Sequence, residues 1–403
     1  MAVTNKGPLA GMKVLELSHI MAGPMCGLLL ADLGADVIKV EKVPDGDDSR
    51  RMVPPSVDGE SAAFMMLNRN KRGTAINLKS EQGKAVFRRL VNDADVIIEN
   101  YRPGTMERLG LGYETLRQQN PGLIYCQVTG FGTTGPYAGR AGFDLIAQGM
   151  SGLMSLTGEG PGRPPVKAGT PVTDITAGIL AAMGIISAYV HRLKTGEGQR
   201  VDTSLLEAGI VHTAWPAAIY FATGVSQGPL GSAHPLSAPY QAFPTSDGWI
   251  NIGAANQANW LRLLDVLEIS KLNDDSRFQN NAARMEHLPA LVEILTEPLS
   301  QRTTADWLAR FEAAGVPAGP VLTMGEMLND PQVLARNMVV EVEHSRVGKT
   351  RALGPPVKLS ETPAGVHRAA PVLGEHTREI LRENGYSDTE IGALIAAGDV
   401  ISS

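Results

Sequence analysis

At 403 residues, with 43% hydrophobic and 19% charged residues, the chain has a globular balance and enough length for two domains. A net charge of −6, without any basic block or basic–aromatic interleaving, argues against nucleic acid as a partner. Two cysteines, Cys26 and Cys126, exclude a disulfide framework beyond one bridge and suit a reducing compartment.

The N-terminal residues hold no apolar run of signal-peptide length before Glu16 interrupts them. The longest apolar stretch, residues 179–190, is short for a membrane span. A cytoplasmic protein without a membrane partner is therefore expected. Residues 14–17 read as a strand, followed by a helix over 27–33 and a second strand over 36–41. Further strands fall at 75–78, 95–99 and 123–128, with a helix over 81–92. Strands this apolar, alternating with helices, predict an α/β fold: a Rossmann-like large domain built on a mostly parallel sheet. Cys126 lies inside the last of these strands and reads as a small core residue.

Directly after that strand, Gly130-Phe131-Gly132-Thr133-Thr134-Gly135 matches G-x-G-x-x-G. Pro136, Gly139 and Gly142 follow where a helix should open, and no acidic strand end sits about 20 residues on, so dinucleotide binding is not expected. Next, residues 166–199 place Asp174 at the start of a long small-residue helix, after a turn containing Gly169 and Pro171. Asp suits an N-cap there. The positive end of the helix would also favour its ionised form, the form that attacks a thioester.

The pattern changes near Thr223. Residues 228–235 read as loop, and 240–243 with 249–253 as a hairpin around Ser246-Asp247-Gly248. Helices at 259–267, 288–299 and 304–314 complete a smaller α+β domain. From Met338 strands return, followed by helices at 375–383 and 388–397. The predicted division is 1–223, 224–325 and 326–403, with the last segment returning to the large domain. No H-E-x-x-H, P-loop or C-x-x-C motif occurs, so no metal site is expected. His19 and His234 stand without a recognisable acid or nucleophile beside them and read as structural.

Seven blocks occur in order: K-V-L-E-L-S-H-I-M-A-G-P (13–24), L-G-A-D-V-I-K-V-E-K (33–42), N-R-N-K-R-G-T-A-I-N-L-K (68–79), A-D-V-I-I-E-N-Y-R-P-G (94–104), G-P-Y-A-G-R-A-G-F-D (135–144), T-G-E-G-Q-R-V-D-T-S-L (195–205) and A-P-V-L-G-E-H-T (370–377). In order and spacing they resemble the class III CoA-transferases, a family that includes formyl-CoA and carnitine CoA-transferases and the related α-methylacyl-CoA racemases. The resemblance implies an enzyme that moves coenzyme A from an acyl-CoA donor to a carboxylic acid. CoA would then be a substrate, with no tightly bound cofactor.

By the same resemblance Asp174 is the catalytic aspartate, working through an aspartyl–acyl anhydride and an aspartyl-CoA thioester. Matching positions assign CoA contacts to Met21, Ala22, Lys42, Ile76, Lys79, Asn100, Tyr101, Arg108, Arg140, Phe143 and Leu205. Met21 stands where formyl-CoA transferases carry Gln, which argues against formyl or oxalate substrates. Phe143 stands where racemases carry the proton-shuttling His of A-G-H-D; phenylalanine cannot move a proton, so a racemase or epimerase is the lesser alternative. Asp144 remains as a supporting residue. A non-catalytic acyl-CoA-binding protein, with Asp174 as a plain cap, is the alternative from another class. Residues 237–256 look closest to members that pass CoA between dicarboxylic acids, often from succinyl-CoA. Residues 228–234 correspond to a mobile Gly-rich loop, here with two glycines. Family members are interlocked homodimers, threaded like linked rings.

Overall fold

The computed structural model describes residues 7–403. Two compact units emerge, one comprising the chain up to Leu153 with Lys167–Gly224 and Pro331–Ser403, the other Met154–Val166 with Val225–Asp330. Residues 154–166 thus belong with the second unit, although the sequence places them inside the large domain.

Six strands of the first unit run parallel: β1 (Lys13–Glu16), β2 (Asp36–Glu41), β3 (Arg72–Ile76), β4 (Val96–Glu99), β5 (Ile124–Thr129) and β6 (Arg200–Ser204). Their order is 3-2-1-4-5-6, the order of doubly wound nucleotide-binding sheets. A short β7 (Val400–Ile401) adds antiparallel to the outer edge of β3. Neighbouring residues of one strand feed opposite cores, which is why these strands read as continuous apolar runs. Val14, Val37 and Ile98 pack under α1 (Ala22–Asp32) and the later, longer helix, through Leu30, Ala181 and Ile185. Leu15, Ile38, Ile97 and Tyr125 face Phe87, Leu90, Ile380 and Ile391 on the other side.

Two boundaries differ from the sequence expectation for physical reasons. Helix α1 begins at Ala22 rather than at residue 27, because Pro24 is tolerated in a first turn, where a missing N–H costs nothing. Strand β3 begins at Arg72 rather than at residue 75. Its guanidinium lies mostly buried against Asp36, Glu379 and Glu383, at 2.6 to 2.8 Å, so a charge can open a buried strand. Strands Val339–His344 and Gly348–Leu353 form a hairpin of their own, outside the main sheet. The second unit carries an antiparallel sheet of Tyr240–Pro244, Trp249–Gly253 and Ala318–Pro320. Its helices Gln257–Val266, Leu288–Leu299 and Thr304–Ala314 close a core containing Phe243, Ile250, Trp260, Leu295 and Phe311.

Candidate active site

In this strand order β1 and β4 are neighbours at the point where the winding reverses, so the segments leaving their carboxyl ends part and leave a crevice. A cleft of about 270 Å³ lies there. Met21 and Ala22 line it from the entry to α1, Asn100 and Tyr101 from the end of β4, and Arg140 and Phe143 from the loop after β5. Leu205 enters from the start of a short helix after β6, and Asp174 completes the wall. Residues from five separate parts of the sequence thus converge on one hollow.

The loop after β5 is shaped by glycine. A Cβ on Gly130 would lie 2.6 Å from Gly142 Cα, and one on Gly142 would lie 2.4 Å from Gly130 Cα. The loop therefore closes backbone on backbone. No helix opens until α2 (Asp144–Met150), so the G-x-G-x-x-G string shapes a loop and offers no helix N-terminus to a pyrophosphate. Phe143, 72% exposed, sits at the N-cap of α2.

Asn100 clamps the opposite wall. Its Oδ1 accepts the His19 N–H at 2.9 Å and its Nδ2 donates to the His19 carbonyl at 2.8 Å. The His19 ring stacks on Tyr101 with centroids 5.7 Å apart, and burial lowers its pKa. His19 lines the cleft together with Ile20, Arg102, Thr129 and Gly130. None of these five was among the sequence-derived contacts, and only their position just past strand ends could have signalled them. Lys42 lines an adjoining hollow with His19 and Tyr101 and is paired with Asp48 at 2.6 Å. Ile76 is buried at the end of β3, whereas Lys79 and Arg108 are exposed beyond β3 and β4; none of the three lines the cleft.

Asp174 lies in the first turn of α3 (Val172–Thr195), which starts two residues before it. The N-cap is Pro171, so the expected role of Asp174 as the cap is corrected. Its ionisation differs as well. Burial, assisted by the nearby Asp144 carboxylate, pushes its pKa up to about 7. Desolvation therefore outweighs the helix end that the sequence suggested would keep it ionised. Among the described residues lining the cleft it is the one carboxylate, and the Thr129 hydroxyl is occupied as acceptor from the Gly132 N–H at 2.8 Å. No group of three His, Cys, Asp or Glu that could hold a metal occurs among the described residues.

A crevice at the switch point of a parallel sheet, lined by the Asp174 carboxylate with Arg102 and Arg140, lies where open α/β sheets take up ligands. The chain belongs to CoA-transferase family III, whose model matches residues 9–377. It is 40% identical to human succinyl-CoA:glutarate CoA-transferase, over 99% of this chain and 91% of that protein. It is 42% identical to the succinate–glutarate CoA-transferase of Agrobacterium fabrum, over 94% of this chain and 96% of that one. A crystal structure of a CAIB/BAIF family protein from Brucella suis superposes with a TM-score of 0.85 at 42% identity, covering 94% of this chain and 99% of that chain. The chain is accordingly an enzyme that transfers coenzyme A from an acyl-CoA to a carboxylic acid.

Proposed function

We propose that the acceptor is a dicarboxylic acid of the succinate–glutarate kind, that succinyl-CoA is a donor, and that Asp174 is the nucleophile. The observation that carries the catalytic assignment is that Asp174 is the one carboxylate among the described residues lining the switch-point cleft, its pKa raised by burial to about 7. The names of the full-length relatives support the substrate class.

Ionised Asp174 attacks the donor thioester carbonyl, the C–S bond breaks, and an aspartyl–acyl anhydride and CoA thiolate result. The thiolate attacks the aspartyl carbonyl, releasing the donor acid and leaving an aspartyl-CoA thioester. The acceptor carboxylate then displaces the thiolate to form a second anhydride. Attack of the thiolate on the acceptor's acyl carbon releases new acyl-CoA and free Asp174. Every electron pair returns to its starting place, so no cofactor is needed.

Met21, Ala22, Asn100, Tyr101, Arg140, Phe143 and Leu205 surround the thioester end in this proposal, all of them cleft residues. Ile76 ends β3, and Lys42, Lys79 and Arg108 each follow the carboxyl end of a parallel strand, the side on which such sheets bind ligands. The three cations are proposed to meet the phosphates and adenine of CoA. The free, buried Cys26 and Cys126 fit a reducing, cytoplasmic setting. A homodimer, interlocked as in the family, completes the proposal. It is supported by helix Ala214–Thr223, which has no buried residue and exposes Trp215 and Phe221.

Incubating the enzyme with succinyl-CoA, quenching with hydroxylamine and measuring intact mass tests the nucleophile. A hydroxamate should map to Asp174. Asp174→Ala should abolish the adduct and slow transfer at least about a thousandfold, ~4 kcal/mol of barrier. An undiminished rate in that variant would exclude the mechanism.

A further inference from the structure

We propose that Asp144 is a positioning residue for the transfer, fastening the first turn of α3 from outside the helix and so fixing the carboxylate of Asp174. This rests on the assignment of Asp174 as nucleophile.

A helix start leaves backbone N–H groups unpaired, and its N-cap side chain ordinarily takes one of them. Pro171 cannot, having no polar side chain. The acceptor comes instead from α2, 29 residues earlier in the chain. Asp144 Oδ1 accepts the Thr173 N–H at 3.0 Å and the Thr173 hydroxyl at 2.8 Å. Its other oxygen is held by Gln148 Nε2 at 2.7 Å. Gln148 is itself 1% exposed, and its Oε1 accepts the Ala168 N–H at 2.9 Å. The pair Asp144–Gln148 thus ties α2 to both ends of the segment that delivers Asp174. Thr173, fully buried, is the residue directly before it.

This arrangement has two effects on Asp174. Because a neighbouring acid does the capping, the Asp174 carboxylate accepts no hydrogen bond from the described residues and stays available to a thioester. The second effect is a negative charge close to the nucleophile, which together with burial keeps its pKa near 7. The other charged or titratable groups about it include His19, Tyr101, Arg102 and Arg140 across the cleft, and His212, which meets Thr176 Oγ1 at 2.7 Å.

The test is the pH dependence of the first half-reaction, read as hydroxylamine-trapped adduct formed per second from succinyl-CoA. Wild-type rate should rise with pH through a midpoint near 7 as Asp174 loses its proton. Asp144→Asn retains an oxygen facing Thr173 but removes the charge, so the midpoint should move down by about one pH unit. Asp144→Ala removes the fastening and should lower kcat at least about tenfold, with KM for succinyl-CoA changed less than about twofold. Should the alanine variant not fold, the asparagine variant carries the test through its pH profile, which a merely structural role would leave in place. Wild-type kcat in a folded Asp144→Ala variant, or an acidic midpoint identical in Asp144→Asn and wild type, overturns the proposal. Loss of the adduct at Asp174 in the wild type would instead overturn the nucleophile assignment, so the two failures are distinct.

Discussion

Lys39 has no exposed surface, yet it is a charged residue in the middle of a buried strand. Its ammonium donates to Glu16 Oε1 at 2.9 Å, to Asp47 Oδ2 at 2.6 Å and to the Ser18 carbonyl at 2.7 Å. Lys71 meets the other Glu16 oxygen at 2.7 Å, so two acids and two bases balance. Burial works against the Asp47 carboxylate, but Lys39 and backbone N–H groups hold it well below the usual range. Asp47 Oδ1 in turn accepts the Ile20 N–H at 3.0 Å, and Ile20 has φ of +67°, a conformation costly for a β-branched residue. The cluster thereby secures the loop that carries Met21 and Ala22 into the cleft. Lys39→Met removes the cation from buried Asp47 and leaves Glu16 only Lys71, and should destabilise the fold by about 3–5 kcal/mol, measured by urea unfolding. A loss under ~1 kcal/mol would show that the cluster holds nothing. In the sequence Lys39 is an ordinary charge interrupting a strand, because its partners lie 8, 21 and 23 residues away in the chain.

Elements carry the next level of control. Helix α3 approaches α1 so closely that a Cβ on Gly178 would lie 2.7 Å from the Ala22 carbonyl oxygen and from Met25 Cβ. That approach brings Asp174, one turn earlier, beside Met21 and Ala22. The Gly130–Gly142 contact does the same for the opposite wall. Gly142→Ala should force the loop apart, cutting kcat/KM for acyl-CoA about tenfold or more, ~1.4 kcal/mol. Thermal stability should fall by only a few degrees, since a surface loop contributes little to the core. A variant with wild-type kinetics would show that the contact is incidental. The small-residue character of 166–199 was plain in the sequence, but not which small residue touches which helix. Strands β1 to β5 were legible because apolar runs report burial on both faces, whereas β6, R-V-D-T-S with only Thr203 and Ser204 buried, carries no such run. The starts of α1 and β3 were less so, since Pro24 and Arg72 look like breakers until their surroundings are known.

For the whole molecule, α3 is long and apolar enough to cross a membrane by length and composition alone. Ala177, Ala181 and Ile185 are nonetheless buried in the first unit, while Ile179, Met183 and Leu193 face outward. Trp215 and Phe221 are exposed as well, apolar side chains of the kind that partners cover. The proposed occupant is a second copy of the chain. Light scattering coupled to size exclusion should give twice the chain mass, and the double variant Leu193→Asp, Phe221→Asp should shift it to one. A fully active monomer in the wild type would end the dimer proposal.

The amino-acid order by itself determined the α/β class, five of the six parallel strands and the family, because burial periodicity and contiguous motifs are local properties of a chain. It also singled out Asp174. What only the tertiary structure decided is how that carboxylate behaves. The first turn of its helix is fastened at Thr173 by Asp144, from another helix, and its proton affinity follows from burial and one neighbouring charge, quantities that exist only once distant segments are packed together.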